Sequence, residues 1–305
     1  MKKLILLSVL LIGGCDKTPT ISTDCAGVAG GTAVEDCNGD CNGMASINSC
    51  DICTGGTTSY HTNYCGTVSD IGGNVYETVK IGAQTWMSEN LQTTQYRDSS
   101  AILTGLINSV SDEWINTNEG AYVVYDDDLS NAAIYGNLYN WSAINDIRGI
   151  CPIGFHIPSD EEWMLLEIFL GMSEEEVNSN VLENEPWSDW RGTNEGSKLA
   201  GNTDLWNDGN LENDSEFGSS GFNVIPAGSF NGGLGSGRQM GESAYFASSS
   251  ECEECLQICT QYTCDGLWTR ILNYDHAQIK RQVTFKKWAS AAYGFNGFSV
   301  RCLKD

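Results

Sequence analysis

Four late cysteines have the density of a thiolate metal site. They are spaced as Cys252-x2-Cys255-x3-Cys259-x4-Cys264, and clustered thiolates are common ligands of structural zinc. In an oxidising compartment the same cysteines would instead form two local disulfides. The compartment therefore decides between the two interpretations, and four cysteines alone do not fix which pairs would form.

Alternating oxygen-bearing side chains occur in an early Gly-rich stretch. Asp36, Asn38, Asp40 and Asn42 stand at every second position, a spacing that can curl a loop around calcium. An EF-hand is excluded, because its last loop position requires Glu and is occupied here by Ile47. A calcium loop of another kind and a set of turn formers in a spacer both fit the pattern.

Three tryptophans are the candidate ligand-binding residues. Trp187, Trp190 and Trp206 fall in a region rich in Gly, Asn and Asp. Exposed rings of this kind can stack on sugar rings while neighbouring polar side chains bond the hydroxyls. Burial of the same rings over a small core is the more common outcome.

Residues suited to catalysis are sparse. The chain has only three histidines, His61, His156 and His276. No nucleophile elbow, phosphate-binding loop or paired metal-binding histidine motif occurs. His156 shortly precedes a predicted helix, where a structural role is the simpler interpretation. The sequence therefore favours a protein without catalytic activity.

The charge balance excludes nucleic acid as a partner. The chain of 305 residues has 16 Lys and Arg against 40 Asp and Glu, a net charge of −24. Such a protein repels phosphate backbones.

The N-terminus predicts export and lipidation. Residues 1–3 are basic at Lys2 and Lys3, and residues 4–12 are apolar but too short to span a membrane. The following Gly-Gly-Cys sequence resembles a bacterial lipobox. We therefore expect a signal peptide over 1–14, a lipid on Cys15 and anchorage in the bacterial envelope, at the outer membrane or cell surface.

The other twelve cysteines form two even groups, which predicts two disulfide systems in an exported chain. The early group is Cys25, Cys37, Cys41, Cys50, Cys53 and Cys65, and the late group is Cys151, Cys252, Cys255, Cys259, Cys264 and Cys302. Residues 24–69 contain an Asp-Cys-x-Gly repeat and too few aliphatic side chains to build a core. We predict a tether over 15–23, a disulfide-stapled stalk over 24–69 and one domain over 70–305.

A helix after Ser159 organises that domain. Ser159 and Glu162 match a capping box, acidic residues fill the first turn, and Gly171 is a natural stop. The apolar residues of 160–170 recur on one face, which should pack on the core. Ser173 begins a similar pattern and predicts a second helix over 174–182.

The remaining elements are short. Alternation at 74–81 predicts a strand, whereas 98–130 has little period and is predicted to be largely loop. Gly, Asn and Trp dominate from about 183 to 220. Further strands are expected at 222–225, 244–248, 267–272 and 298–302. Few helices and many Gly-bounded strands indicate an α+β, loop-rich fold with two or three helices.

Ordered motifs along this domain carry a family resemblance. They are VYETVKIG at 75–82, YGNLYNW at 135–141, CPxGFHxPSDxEW at 151–163, and shorter segments at 221–222, 226–228, 247–250 and 298–302. Together they resemble the Fibrobacter succinogenes major paralogous domain. The resemblance implies a C-type-lectin-like fold, similar to that of formylglycine-generating enzymes, and a disulfide between Cys151 and Cys302 that closes the domain.

We therefore expect a lipid-anchored surface protein with a non-catalytic module that binds extracellular polysaccharide or another envelope protein. Two other hypotheses stay open. One is a formylglycine-generating type of enzyme that uses thiols and copper or zinc at the late cysteine cluster. The other is a structural envelope component without a ligand.

Overall fold

The computed structural model describes residues 22–106, 113–179, 188–232, 234–252, 266–285 and 297–305. Its strands are β1 (Ser46–Ile47), β2 (Cys53–Thr54), β3 (Tyr64–Ser69), β4 (Val75–Ile81), β5 (Gln84–Met87), β6 (Tyr122–Val123), β7 (Leu138–Tyr139), β8 (Phe155–His156), β9 (Ser188–Arg191), β10 (Ser229–Asn231), β11 (Ser236–Arg238), β12 (Ser243–Glu251), β13 (Gly266–Asn273), β14 (His276–Phe285) and β15 (Leu303–Lys304). Its α-helices are α1 (Glu113–Asn116), α2 (Leu129–Tyr135), α3 (Trp141–Ile144), α4 (Asp160–Leu170), α5 (Glu174–Val177) and α6 (Glu195–Leu199). The α+β, loop-rich class is confirmed, with more helices than the two or three expected. Within the described ranges, no helix has the length and apolarity needed to cross a bilayer.

A five-stranded antiparallel sheet brings the two ends of the domain together. Its strand order is β3-β4-β5-β15-β8. In β15, Leu303 pairs with Trp86 of β5 on one side and with His156 of β8 on the other. The last strand of the chain is therefore an inner strand of this sheet, and the sheet is complete only when the C-terminus has docked.

A disulfide and a buried arginine hold this C-terminal segment in place. Cys302 is bonded to Cys151 across a sequence separation of 151 residues, the pairing that the family resemblance implied. Arg301 is 1% exposed, and its guanidinium donates to the carbonyl oxygens of Phe222 (2.6 Å) and Asn223 (2.9 Å). Burial lowers the pKa of Arg301 to about 9, so backbone carbonyls are needed to solvate the charge.

The second sheet has four antiparallel strands in the order β12-β13-β14-β9. Its inner strands, β13 and β14, are long, and β9 forms one edge. Helix α4 contacts both sheets: the ring of Trp163 lies 5.0 Å from that of Trp86 in β5 and 5.7 Å from that of Phe246 in β12, measured between centroids. The apolar face of α4 thus packs into the core between the two sheets.

The start and end of α4 follow from its sequence, as predicted. The Ser159 side chain accepts a hydrogen bond from the backbone of Glu162, whose carboxylate accepts one from the Ser159 backbone, and Gly171 is the C-cap. The second predicted helix begins at Glu174 and ends at Val177, and residues 180–182 of the prediction lie outside the described residues. Asn178 is the C-cap, and both its backbone N–H (3.1 Å) and its side-chain amide (2.7 Å) donate to the Glu174 carbonyl.

Several strand predictions need correction. The strands expected at 74–81, 244–248 and 267–272 are present as β4, β12 and β13, with β12 and β13 longer than predicted. The segments 222–225 and 298–302 form only isolated bridges, at Val224, Phe298 and Ser299. Strands β9 and β14 and helix α6 were not predicted from the sequence.

The cysteine-rich segment is stapled by three overlapping disulfides. Cys25 is bonded to Cys41, Cys37 to Cys53 and Cys50 to Cys65, with sequence separations of 16, 16 and 15. Each loop begins before the preceding one closes. Cys65 lies in β3, which pairs with β4 of the domain, so the last residues assigned to the stalk form an edge strand of the five-stranded sheet.

Aspartate turns repeat along this segment. Asp24 accepts hydrogen bonds from the backbone nitrogens of Val28 and Ala33, and Asp36 accepts them from those of Asp40 and Ala45, at the same sequence offsets. A glycine stands seven residues after each of these aspartates, at Gly31 and Gly43. A Cβ atom at either position would lie about 2 Å from a carboxylate oxygen of Asp24 or Asp36, so no larger residue fits there. Disulfides and these turns replace a hydrophobic core.

Removing the Cys151–Cys302 disulfide should destabilise the domain strongly. In the chain-entropy model, opening a loop this long costs about 4–5 kcal/mol, so Cys151→Ala/Cys302→Ala should lower the free energy of unfolding by that amount. Urea unfolding followed by tryptophan fluorescence measures the domain selectively, because the first tryptophan is Trp86. Cys37→Ala/Cys53→Ala is the matched control and should leave this transition unchanged; equal losses in both variants would contradict the closing role.

Candidate ligand-binding surface

The edge of the four-stranded sheet presents an aromatic platform. Trp190 of β9 is half-buried, and its ring stacks on the imidazole of His276 in β14, with centroids 4.0 Å apart and planes 14° from parallel. Lys280 pairs with Trp190 across the strands, and its Nζ lies 5.5 Å from the indole centroid. We call Trp190, His276 and Lys280 the platform.

Strand alternation explains why Trp190 faces outward. Successive strand residues point to opposite faces of a sheet, and the next residue, Arg191, is 3% exposed. Its guanidinium donates to the Glu167 carboxylate of α4 at 2.7 Å and to the Val177 carbonyl at 2.9 Å. Arg191 therefore fixes the inward face of β9, and Trp190 must take the opposite one.

The same alternation places Lys280. Its neighbour Arg281 points inward, where Nη2 donates to Asp160 at 2.5 Å and the guanidinium lies 3.8 Å from the centroid of the Trp268 ring. Lys280 and Trp190 are directly opposite residues of paired strands and so share the outer face.

A buried ion cluster behind the platform holds both strands against α4. Glu167 pairs with Arg191 and Arg270, and Asp160 pairs with Arg270 and Arg281. Burial opposes ionisation of Asp160, but the two arginines outweigh it and lower the pKa of its carboxyl. Burial lowers the pKa of Arg191 to about 10. For Arg270, burial is outweighed by Glu167 and Asp160, which raise its pKa.

The candidate tryptophans are not brought together. Trp206 is 6% exposed and packs in the core with α4, and its Nε1 donates to the Gly201 and Val224 carbonyls at 3.2 and 3.3 Å. Its ring is thus unavailable to a ligand, and the core interpretation holds for it. Trp187 lies outside the described residues, which leaves Trp190 as the surface-accessible candidate.

The stalk residues proposed for calcium serve as turn formers. Both oxygens of Asp36 accept backbone N–H groups, and this lowers the pKa of its carboxyl. Asp40 accepts from the Asn38 amide at 3.2 Å and also from the Thr57 hydroxyl. The fourth residue, Asn42, adopts a left-handed conformation with φ of 56°, as turn asparagines do. Among the residues that the structure describes, no group of three or more Asp, Glu, His or Cys side chains is placed to hold a metal ion. Calcium binding by the stalk stays a prediction.

The described cysteines offer no free thiol. All nine of them, Cys252 included, are disulfide-bonded. Cys255, Cys259, Cys264 and the lipidation candidate Cys15 lie outside the described residues. Disulfide bonding of Cys252 favours the disulfide interpretation of the late cluster over a thiolate zinc site, because an oxidised sulfur is not a thiolate ligand.

His156 ties the entry of α4 to the C-terminus. Its Nδ1 lies 2.7 Å from the Asp305 carboxylate and its Nε2 lies 2.9 Å from that of Glu162, the capping residue. Partial burial opposes protonation, but the hydrogen bonds to Asp305 and Glu162 outweigh it and raise the pKa of His156. The arrangement is structural, as the sequence suggested.

Sequence reasoning missed the partners of Trp190. His276 was noted only as one of three histidines, and Lys280 was not singled out, because strand β14 was not predicted. The available signal was the alternation of Ile279, Arg281 and Val283, which stand at every second position. Two of these three residues are apolar, as expected for the inward face of a strand.

Comparison with known proteins identifies one family. The sequence model of the family described as Fibrobacter succinogenes major domain matches residues 79–304. The match begins within β4 and ends within β15, so it contains α4, the ion cluster and the platform. No curated protein and no solved structure matches the chain at a significant level.

Neutralising the ion cluster should be costly. Glu167→Gln leaves Arg191 and Arg270 buried without their shared carboxylate, and breaking a buried pair costs about 3–5 kcal/mol. The exposed Glu161 of the same helix gives the control, since Glu161→Gln should change the free energy of unfolding by less than about 0.5 kcal/mol. Urea unfolding measures both, and equal stability of the two variants would contradict the anchoring role.

The His156 contacts should stabilise the fold only at lower pH. Because the folded pKa is raised above the ordinary value of 6.5, the contribution is fully present below about pH 6.5 and is lost as the pH rises through the folded pKa. His156→Gln should therefore destabilise the protein more at about pH 5.5 than at about pH 8.5. Unfolding curves of both proteins at the two pH values test this, and a pH-independent difference would contradict it.

Proposed function

The chain belongs to the Fibrobacter succinogenes major domain family, and we propose that its domain is a non-catalytic binding module for extracellular polysaccharide. The observation that carries the proposal is the ring of Trp190, half-buried at a sheet edge and stacked on His276. An indole presents a flat apolar surface that matches the C–H face of a sugar ring.

The platform is suited to binding because its geometry is fixed before a ligand arrives. Arg191 is held by Glu167 and by a backbone carbonyl, and the adjacent ring is supported by His276. Gln278 is also fixed, since its amide donates to the Gly192 carbonyl at 3.1 Å. A ring ordered in advance loses little conformational entropy when it binds a ligand.

We further propose that the module is displayed on the bacterial envelope. The signal peptide and the lipid on Cys15 would anchor the chain to a membrane surface. The stalk, stapled by overlapping disulfides, would separate the module from that surface. Calcium bound at Asp36 to Asn42 would stiffen the stalk further.

A C-type-lectin-like topology is part of the same proposal. Its support is the return of the C-terminus to the start of the domain, where Leu303 pairs with Trp86. The Cys151–Cys302 bond closes the long intervening segment beside that strand.

The two other hypotheses have less support. A thiol-dependent enzyme of the formylglycine-generating type needs a reduced cysteine pair, whereas the nine described cysteines are all disulfide-bonded. A purely structural component gives no reason for a supported aromatic ring at a sheet edge.

Binding should depend on Trp190. The purified full chain should bind at least one of a panel of extracellular polysaccharides in affinity electrophoresis, and Trp190→Ala should weaken that binding about tenfold, because aromatic stacking contributes about 0.5–1.5 kcal/mol beyond the buried area. Trp190→Phe, which keeps a smaller ring, should retain part of the affinity.

Phe169→Ala is the matched control, because Phe169 of α4 is an aromatic ring that is 61% exposed but lies outside the platform. It should bind as the unchanged chain does. Absence of binding to every polysaccharide, or a Trp190→Ala variant that folds and binds normally, would overturn the proposal. Capture of an envelope protein instead would favour the adhesion alternative.

A further inference from the structure

The stalk, residues 24–69, has no hydrophobic core of its own. Ala45 and Thr54 are its only buried residues. Four of its larger aliphatic side chains are more than half exposed, namely those of Val28, Val34, Met44 and Ile47. Because apolar burial is the dominant favourable contribution to folding, the three disulfides must be what keeps this segment compact.

The three disulfides also limit how far the stalk can extend. Their Cα–Cα distances are 5.4, 5.7 and 5.4 Å, and only the short segments 37–41 and 50–53 connect one disulfide to the next. At about 3.3–3.6 Å per extended residue, the distance from Cys25 to Cys65 cannot exceed about 40 Å. These two cysteines are 40 positions apart, so without disulfides the same segment could be pulled to about 140 Å.

The stalk disulfides are accessible to solvent, whereas the disulfide that closes the domain is not. Cys37 and Cys41 are exposed and the other four stalk cysteines are half-buried. In contrast, Cys151 is 2% exposed and Cys302 is 0% exposed. Thiol–disulfide exchange requires the attacking thiolate to reach a sulfur, so an external dithiol should open the stalk while the domain stays closed.

We propose that the stalk is a redox-sensitive spacer, which a dithiol oxidoreductase opens. One thiolate of the reductant attacks a sulfur of a stalk disulfide, forms a mixed disulfide and releases the other cysteine as a thiolate. The second thiol of the reductant then displaces the remaining cysteine, so the stalk gains two thiols and the reductant becomes a disulfide. The oxidised stalk holds the domain within a fixed reach, and the reduced stalk is an extensible chain. This inference concerns the stalk alone and does not depend on what the platform binds.

Thiol mapping tests the selectivity of this reduction. The purified full chain is treated under native conditions with limiting dithiothreitol as the dithiol, then alkylated and analysed by mass spectrometry. All three stalk disulfides should be lost while Cys151 and Cys302 stay bonded. Tryptophan fluorescence should stay unchanged, because the first tryptophan is Trp86 of the domain. Stalk disulfides that resist native reduction, or a Cys151–Cys302 bond that opens with them, would overturn the proposal.

Stretching of single molecules measures the reach. Handles are attached to azide-bearing residues introduced into the full chain at the exposed positions Ser22 and Ile71, so the domain lies outside the stretched segment. Reduction should increase the limiting extension by about 100 Å. A reduced stalk that extends no further than the oxidised one would overturn the proposal.

Two oxidised variants test whether the overlapping disulfides set this limit. Cys50→Ala/Cys65→Ala should increase the limiting extension by about 25 Å, because Cys53 is then joined to residue 65 only through the chain. Cys37→Ala/Cys53→Ala is the matched control and should add less than about 5 Å, because only nine positions separate the two remaining disulfides at Cys41 and Cys50. Equal gains in the two variants would contradict the proposal.

Discussion

The buried ion cluster between α4 and the four-stranded sheet is the constraint on which the rest of the domain depends. Glu167 lies between Arg191 and Arg270, and Asp160 lies between Arg270 and Arg281. Removing charges from water is expensive unless every charge is paired. The helix α4 and the strands β9, β13 and β14 must therefore pack in an arrangement that pairs all of these charges. The alternation of strand residues then fixes the outer face, where Trp190 and Lys280 emerge. The platform is a consequence of what its neighbours bury.

A second constraint acts at the C-terminus. Strand β15 pairs with both β5 and β8, and Cys302, directly before it, is bonded to Cys151. Arg301 supports the same junction by donating to the Phe222 and Asn223 carbonyls. Contacts of such long sequence separation have a high entropic cost during folding, which the disulfide reduces once it has formed.

What the sequence could predict follows from where the local signals lie. The ends of α4 were predictable because Ser159, Glu162 and Gly171 carry capping information within a few residues. Strand β13 was predictable because Leu267, Trp268, Ile271 and Leu272 outweigh its single arginine. Strands β9 and β14 were not, because their inward positions include Arg191 and Arg281, whose carboxylate partners come from a distant helix. Pattern reasoning treats an inward arginine as evidence against a strand. The same limit applied to the platform, since Trp190 was chosen by composition but its partners lie on the strand that was missed.

The buried arginines of this fold are matched by buried carboxylates. Arg191, Arg270 and Arg301 are each at most 3% exposed, so three of the 16 Lys and Arg residues of the chain are internal. Four acidic side chains, those of Asp70, Asp160, Glu167 and Glu195, are buried as well, so the charges buried within the described residues nearly balance, as expected when a buried charge needs a partner.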